Sequence, residues 1–73
     1  MNKKPKNNGV RYPHIHVQLS GRDGNAFSIL GRVTSALRAA GVSKEEIKKY
    51  QDEAMSGNYD HLLGVTMSWV DCR

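Results

Sequence analysis

The sequence predicts an α+β domain: a small sheet of one or two strands, covered on one face by two or three helices. Three observations carry this. Apolar and polar residues alternate from His14 to Ser20, the period of a half-buried strand. From Asn25 the period changes to that of an amphipathic helix. A capping box at Ser43, with Glu46 three residues on, then opens a second helix directly after the first. At 73 residues the chain has room for one domain, near the lower limit at which a core stabilises itself. Apolar residues make up 38% and aromatics 7%, so that core has to be compact and mainly aliphatic.

Each element follows from local chemistry. Residues 1–11 read as a basic, disordered tail carrying Pro5 and the turn sequence Asn7-Asn8-Gly9. Residues 12–73 read as the single domain, order beginning at Tyr12-Pro13 because proline holds its predecessor extended. Ile15, Val17 and Leu19 face the core from the first strand, and His14, His16, Gln18 and Ser20 face water. Gly21 to Gly24 make a tight loop. Ala26, Ile29, Leu30, Val33, Ala36, Leu37 and Ala40 form the stripe of the first helix, capped by Asn25 or Asp23 and ended by a left-handed Gly41.

In the second helix Ile47, Tyr50 and Ala54 mark the buried side, Val42 staples onto Ile47, and Gly57 closes it. Glu45–Lys49, Lys48–Asp52 and Lys49–Glu53 are spaced to pair along its surface. The last segment admits two readings. Leu63, Val65, Met67 and Trp69 alternate as a strand would, whereas Leu62, Leu63, Thr66, Met67 and Val70 suit a helix capped by Asn58 or Asp60. We favour a helix over 59–67 followed by an extended end over 68–72 that pairs with the first strand.

The net charge of +4 lies entirely in the tail, on Lys3, Lys4, Lys6 and Arg11; acids and bases balance over residues 12–73. A DNA-reading domain carries its excess charge on the folded surface, in fixed geometry opposite phosphates. Four tail charges add at most a weak, salt-sensitive affinity for nucleic acid, and their plain reading is a solvated leader. No apolar run reaches ten residues, which excludes a membrane-spanning helix and a secretory signal. The lone Cys72 has no partner for an internal disulfide, and the expected location is the cytoplasm.

The run Gly21-Arg22-Asp23-Gly24-Asn25-Ala26-Phe27-Ser28-Ile29-Leu30-Gly31, with Ala36-Leu37-Arg38 and Ala40-Gly41-Val42 after it, carries a resemblance. So does Ala54-Met55-Ser56-Gly57-Asn58-Tyr59-Asp60-His61-Leu62-Leu63, ahead of Trp69-Val70. Together they resemble a group of small uncharacterised proteins of bacteria and their phages, over roughly residues 14 to 71 but not the tail. The resemblance implies a cytoplasmic protein, encoded on a phage or other mobile element, and no catalytic assignment. The stretch from Gly21 to Val42 is also locally similar to the opening strand-loop-helix of ACT-type regulatory domains. Those continue into a strand, however, whereas Ser43 here opens a helix.

Four constellations bear on chemistry. His14 and His16 share one strand face, a spacing metal sites use, but a third ligand would have to come from Asp23, Asp60, His61 or Cys72. The plain alternative is a pair of surface histidines. Gly21, Arg22, Gly24 and Asn25 join a strand to a helix N-terminus, where free amides and the helix dipole favour an anion. The loop matches no phosphate-binding fingerprint, Asp23 repels a phosphate, and turn chemistry alone accounts for every residue in it. Third, Lys3, Lys4, Lys6 and Arg11 are the candidate nucleic-acid contacts. Fourth, no nucleophile, acid pair or cofactor motif supports catalysis: Cys72 is next to last, and Glu45-Glu46 and Asp52-Glu53 lie on a solvated helix face.

The functional expectation is therefore a protein-binding accessory or regulatory factor, needing no cofactor and no membrane. It associates as a homodimer by pairing its first strand edge to edge, because a small sheet leaves its edges unpaired. Protonation of the facing histidines near pH 6 should weaken such a dimer. The alternative is a small anion, nucleotide or nucleic-acid binder using the 21–25 loop and the basic tail.

Overall fold

The computed structural model describes residues 9–73. It contains β1 (Tyr12–Val17), α1 (Ala26–Ala39), α2 (Lys44–Ala54), α3 (Tyr59–Trp69) and β2 (Val70–Cys72). The two strands form a parallel sheet, an α+β domain in which all three helices lie in the crossover between them. Lys3, Lys4 and Lys6 lie outside the described residues.

β1 starts at Tyr12, two residues earlier than the alternation suggests, and stops at Val17 rather than Ser20. Its register with β2 runs Tyr12–Val70, His16–Asp71 and Val17–Cys72, with an irregularity between Tyr12 and His16. Beyond Val17 the chain is still tied to the end of β2, since the N–H groups of Leu19 and Ser20 both donate to the carbonyl of Arg73. Ile15 and Val17 are buried towards the helices, and His14, His16 and Gln18 are exposed.

The helix ends explain the turns. Asn25 caps α1, its side chain accepting from the N–H groups of Phe27 and Ser28. At the other end the Val42 N–H bonds to Leu37 O and the Gly41 N–H to Arg38 O, a Schellman closure around Gly41 at φ 83°. Only half of the capping box forms: Ser43 Oγ accepts from the Glu46 N–H at 3.2 Å. The Glu46 carboxylate turns outward instead, to Arg11, Tyr12 and Lys49. Lys48–Asp52 pairs as spaced, while Lys49 takes Glu46 and Glu53 takes the indole of Trp69.

α3 extends two residues beyond the expected end, with Asn58 as its cap. Its buried residues Leu62, Val65, Thr66 and Trp69 follow helical spacing, and Met67, which both readings place inward, is 53% exposed. The extended end then pairs with β1 as expected, shortened to Val70–Cys72.

The core gathers Ile15 and Val17 from β1, Ile29, Leu30, Val33 and Leu37 from α1, Ile47, Tyr50 and Ala54 from α2, and Leu62, Val65, Trp69 and Val70 from the C-terminal segment. Tyr50 is fully buried, and its phenol meets the hydroxyl of Thr66 at 2.8 Å, which keeps a buried polar group satisfied. Burial pushes the Tyr50 phenol pKa up. The rings of Tyr50 and Trp69 meet edge to face at 5.6 Å.

Candidate functional site

The loop at Gly21 to Asn25 is a self-contained turn. Gly21 sits at φ 71°, in the left-handed region that favours glycine. Asn25 Oδ1 accepts from Phe27 N at 2.9 Å and Ser28 N at 3.4 Å. Asp23 accepts from the main-chain N–H of Asn25 and from the Ser28 hydroxyl, both at 3.0 Å. These bonds, led by the one from Asn25, hold the Asp23 carboxyl below its ordinary pKa, and the charge of Arg32 adds to the effect. The N–H groups of Asn25, Phe27 and Ser28 are thus engaged within the loop, beside a carboxylate. Arg22 is exposed, and its main-chain N–H donates to Leu19 O.

His14 and His16 share the solvent face of β1 as their spacing requires. His16 Nδ1 lies 2.7 Å from the Asp71 carboxylate, which also receives the guanidinium of Arg73 at 3.2 Å. His16 first, then Arg73, holds the Asp71 carboxyl low. His14 instead stands edge-on to Tyr12 at 6.4 Å. Among the described residues, no three His, Cys, Asp or Glu side chains come together as metal ligands would. Cys72 is a half-buried free thiol whose pKa is raised by burial and by the charge of Asp71.

Arg11, the last tail cation, belongs to the domain. Its guanidinium lies 4.2 Å from the centre of the Trp69 ring and 2.7 Å from Glu46 Oε1, and its main-chain N–H donates to Ser68 O. The bond from Arg11 is the main cause that holds the Glu46 carboxyl low.

The two segments that carry the resemblance meet at a place that sequence reasoning did not single out. The start of α1, the end of α2 and the start of α3 enclose an apolar groove of about 210 Å³, with Leu30, Ala54 and Leu62 in its wall. At its rim stand Phe27, Met55 and Tyr59, exposed by 78%, 55% and 44%. The phenol of Tyr59 donates to the main-chain carbonyl of Gly24 and so locks the two segments together. One sign of this site was legible: Phe27 is a large apolar residue off the stripe of α1, where burial does not explain it. Met55 follows the last turn of α2 and belonged to no periodic pattern at all.

No helix is long and apolar enough to cross a membrane among the described residues. Comparison with protein-family models, with curated proteins and with solved structures finds no match to the chain.

Proposed function

We propose that the protein is a small protein-binding accessory or regulatory factor of the cytoplasm that works as a homodimer. The observation that carries this is the pairing of a projecting Phe27 ring with an apolar groove on the same patch. A surface that bears both a knob and a hole is self-complementary, and a two-fold axis beside it lets each Phe27 enter the groove of the other copy. The groove lining contains no charged side chain, so two copies meet there without like charges opposed. Aromatic anchors seated in apolar pockets contribute most of the affinity of such contacts. Cys72 as a free thiol suits a reducing compartment.

The edge of β1 is the weaker candidate for the dimer contact. Pro13 has no N–H to donate, and the irregularity in the β1–β2 ladder between Tyr12 and His16 shows that β1 is not a regular strand along its length. The reading as an anion or nucleic-acid module has less support, because Asp23 and Asn25 already accept from the N–H groups of Asn25, Phe27 and Ser28.

Sedimentation equilibrium at neutral pH tests the proposal on the wild-type chain and on Phe27→Asp, whose fold circular dichroism would verify. The expected result is a wild-type dimer and a monomeric variant. A dimer that survives Phe27→Asp would move the contact to another surface, with β1 the first to examine. A wild-type monomer of 8.1 kDa would overturn self-association and leave the groove to a different protein.

A further inference from the structure

A second groove lies on the opposite end of α2, and its chemistry differs. It encloses about 420 Å³ between the end of α1 and one face of α2, and is lined by Arg38, Val42, Lys44, Ile47, Lys48 and Gln51. Lys44, Ile47, Lys48 and Gln51 fall at i, i+3, i+4 and i+7, so one helix face supplies two cations and the apolar floor. Arg38, in the last turn of α1, supplies a third cation across the groove. Gln51 is fixed by donating to the Thr34 hydroxyl at 3.1 Å.

The cations are largely uncommitted. Among the described residues neither Arg38 nor Lys44 forms an ion pair, and Lys48 meets Asp52 at 3.2 Å with both side chains mostly in water. Asp52 is thus a weak competitor for Lys48. Of the acids adjacent in sequence to this face, Glu46 is engaged by Arg11 and Lys49, Asp52 meets Lys48, and Glu45 forms no ion pair among the described residues.

We propose that this groove docks an acidic amphipathic segment of a partner protein, apolar side chains against the half-buried Val42 above the buried Ile47 and carboxylates against Arg38, Lys44 and Lys48. Charge complementarity selects the occupant, and an apolar floor between cations fits the helix-in-groove mode of recognition. A single-stranded nucleic acid fits less well, because it needs aromatic platforms for its bases. The exposed aromatics Phe27 and Tyr59 line the other groove. This proposal shares the reading of the chain as a protein-binding module but uses a separate surface from the dimer contact.

The test is an NMR titration of the full chain with three probes. One is a short helical peptide with leucines on one face flanked by glutamates, the second the same peptide with lysines for the glutamates, and the third a single-stranded oligonucleotide. The acidic peptide should shift the amides of Val42, Lys44, Ile47, Lys48 and Gln51, and Lys44→Glu with Lys48→Glu should weaken it about tenfold. No shift at these amides, equal binding of the lysine peptide, or binding unmoved by the double charge reversal would overturn the proposal, and preferential binding of the oligonucleotide would replace it with a nucleic-acid site. Sedimentation of the same double variant separates the two readings, since its dimer mass should match the wild type.

Discussion

Tyr59 and Gly24, 35 residues apart in the chain, are joined by a hydrogen bond from the phenol to a main-chain carbonyl. It connects the loop before α1 to the first turn of α3, and it fixes the mouth of the apolar groove from both sides. Tyr59→Phe keeps the ring and removes the bond. At about 1 kcal/mol for a single hydrogen bond, the expected loss is about 4–8 °C in Tm for a domain of this size. The same variant should weaken the dimer, because the groove wall is then held less firmly. Thermal melts and sedimentation on one sample check both; an unchanged Tm would show that the bond contributes nothing in solution.

Gly41 and Gly57 both follow helices, but they are required for opposite reasons. Gly41 lies at φ 83° with nothing within 4 Å of where a Cβ would stand, so the cost of a side chain there is conformational. Gly41→Ala should therefore cost about 1–2 kcal/mol, and Gly41→Val more. Gly57 has no positive φ, and a Cβ on it would lie 2.7 Å from His61 Cγ and 2.8 Å from His61 Cβ. That crowding would displace a side chain whose Nε2 meets Glu53 O at 2.9 Å and Ser56 Oγ at 3.0 Å across the end of α2. Gly57→Ala alone should destabilise, and His61→Ala should remove the part of that loss due to the imidazole ring, leaving only the contact with the Cβ that alanine keeps. A double-mutant cycle followed by thermal melts measures the coupling; strictly additive losses would refute the assignment.

The helices and their ends were legible in the sequence because local chemistry decides them. Asn25, Gly41 and Ser43 act within a turn of themselves, and the stripe Ile29, Leu30, Val33, Leu37 needs only one apolar neighbour to face. The misplaced features are those set at long range. The Glu46 half of the capping box was lost to Arg11, 35 positions away. The end of β1 depends on a strand of three residues at the other end of the chain. The apolar groove was invisible for the same reason, since its rim comes from three elements and only Phe27 stood out of pattern. Of the residues singled out for chemistry, the loop from Gly21 to Asn25 and the pair His14 and His16 lie where their local pattern places them, each already bonded or stacked to neighbours.

Asp71 predicts the acid behaviour of the sheet. His16 and Arg73 favour its charged form and lower its pKa in the folded state. The stabilisation it contributes is therefore complete above the ordinary carboxylate range, about pH 4. It is lost as pH falls through the lowered folded value, because the proton then binds the unfolded chain more readily. Asp71→Asn removes this contribution at all pH values. The gap in Tm between wild type and variant should close at strongly acid pH. Melts across this range check it, and a gap that persisted undiminished at the acid end would assign the effect of Asp71 to something other than its charge.

Arg11 predicts where the domain starts. Its charge counts with the tail in sequence, yet its guanidinium covers the ring of Trp69 and reaches Glu46, and its N–H is bonded to Ser68 O. The ion pair is partly exposed, 45% on the arginine side chain, and by itself is worth little. The contact with the indole adds to it, because Trp69 is buried and the cation shields the face it covers. Together they should amount to about 1 kcal/mol, so Arg11→Ala is expected to lower Tm by about 4–8 °C. Deleting residues 1–8, which carry Lys3, Lys4 and Lys6, should change it by less than about 4 °C. Trp69 is the sole tryptophan, so its fluorescence reports the same contact directly. Arg11→Ala should make the indole more accessible to a soluble quencher, whereas the deletion should not. If the two changes affected Tm and quenching equally, Arg11 would belong to the tail and not to the domain.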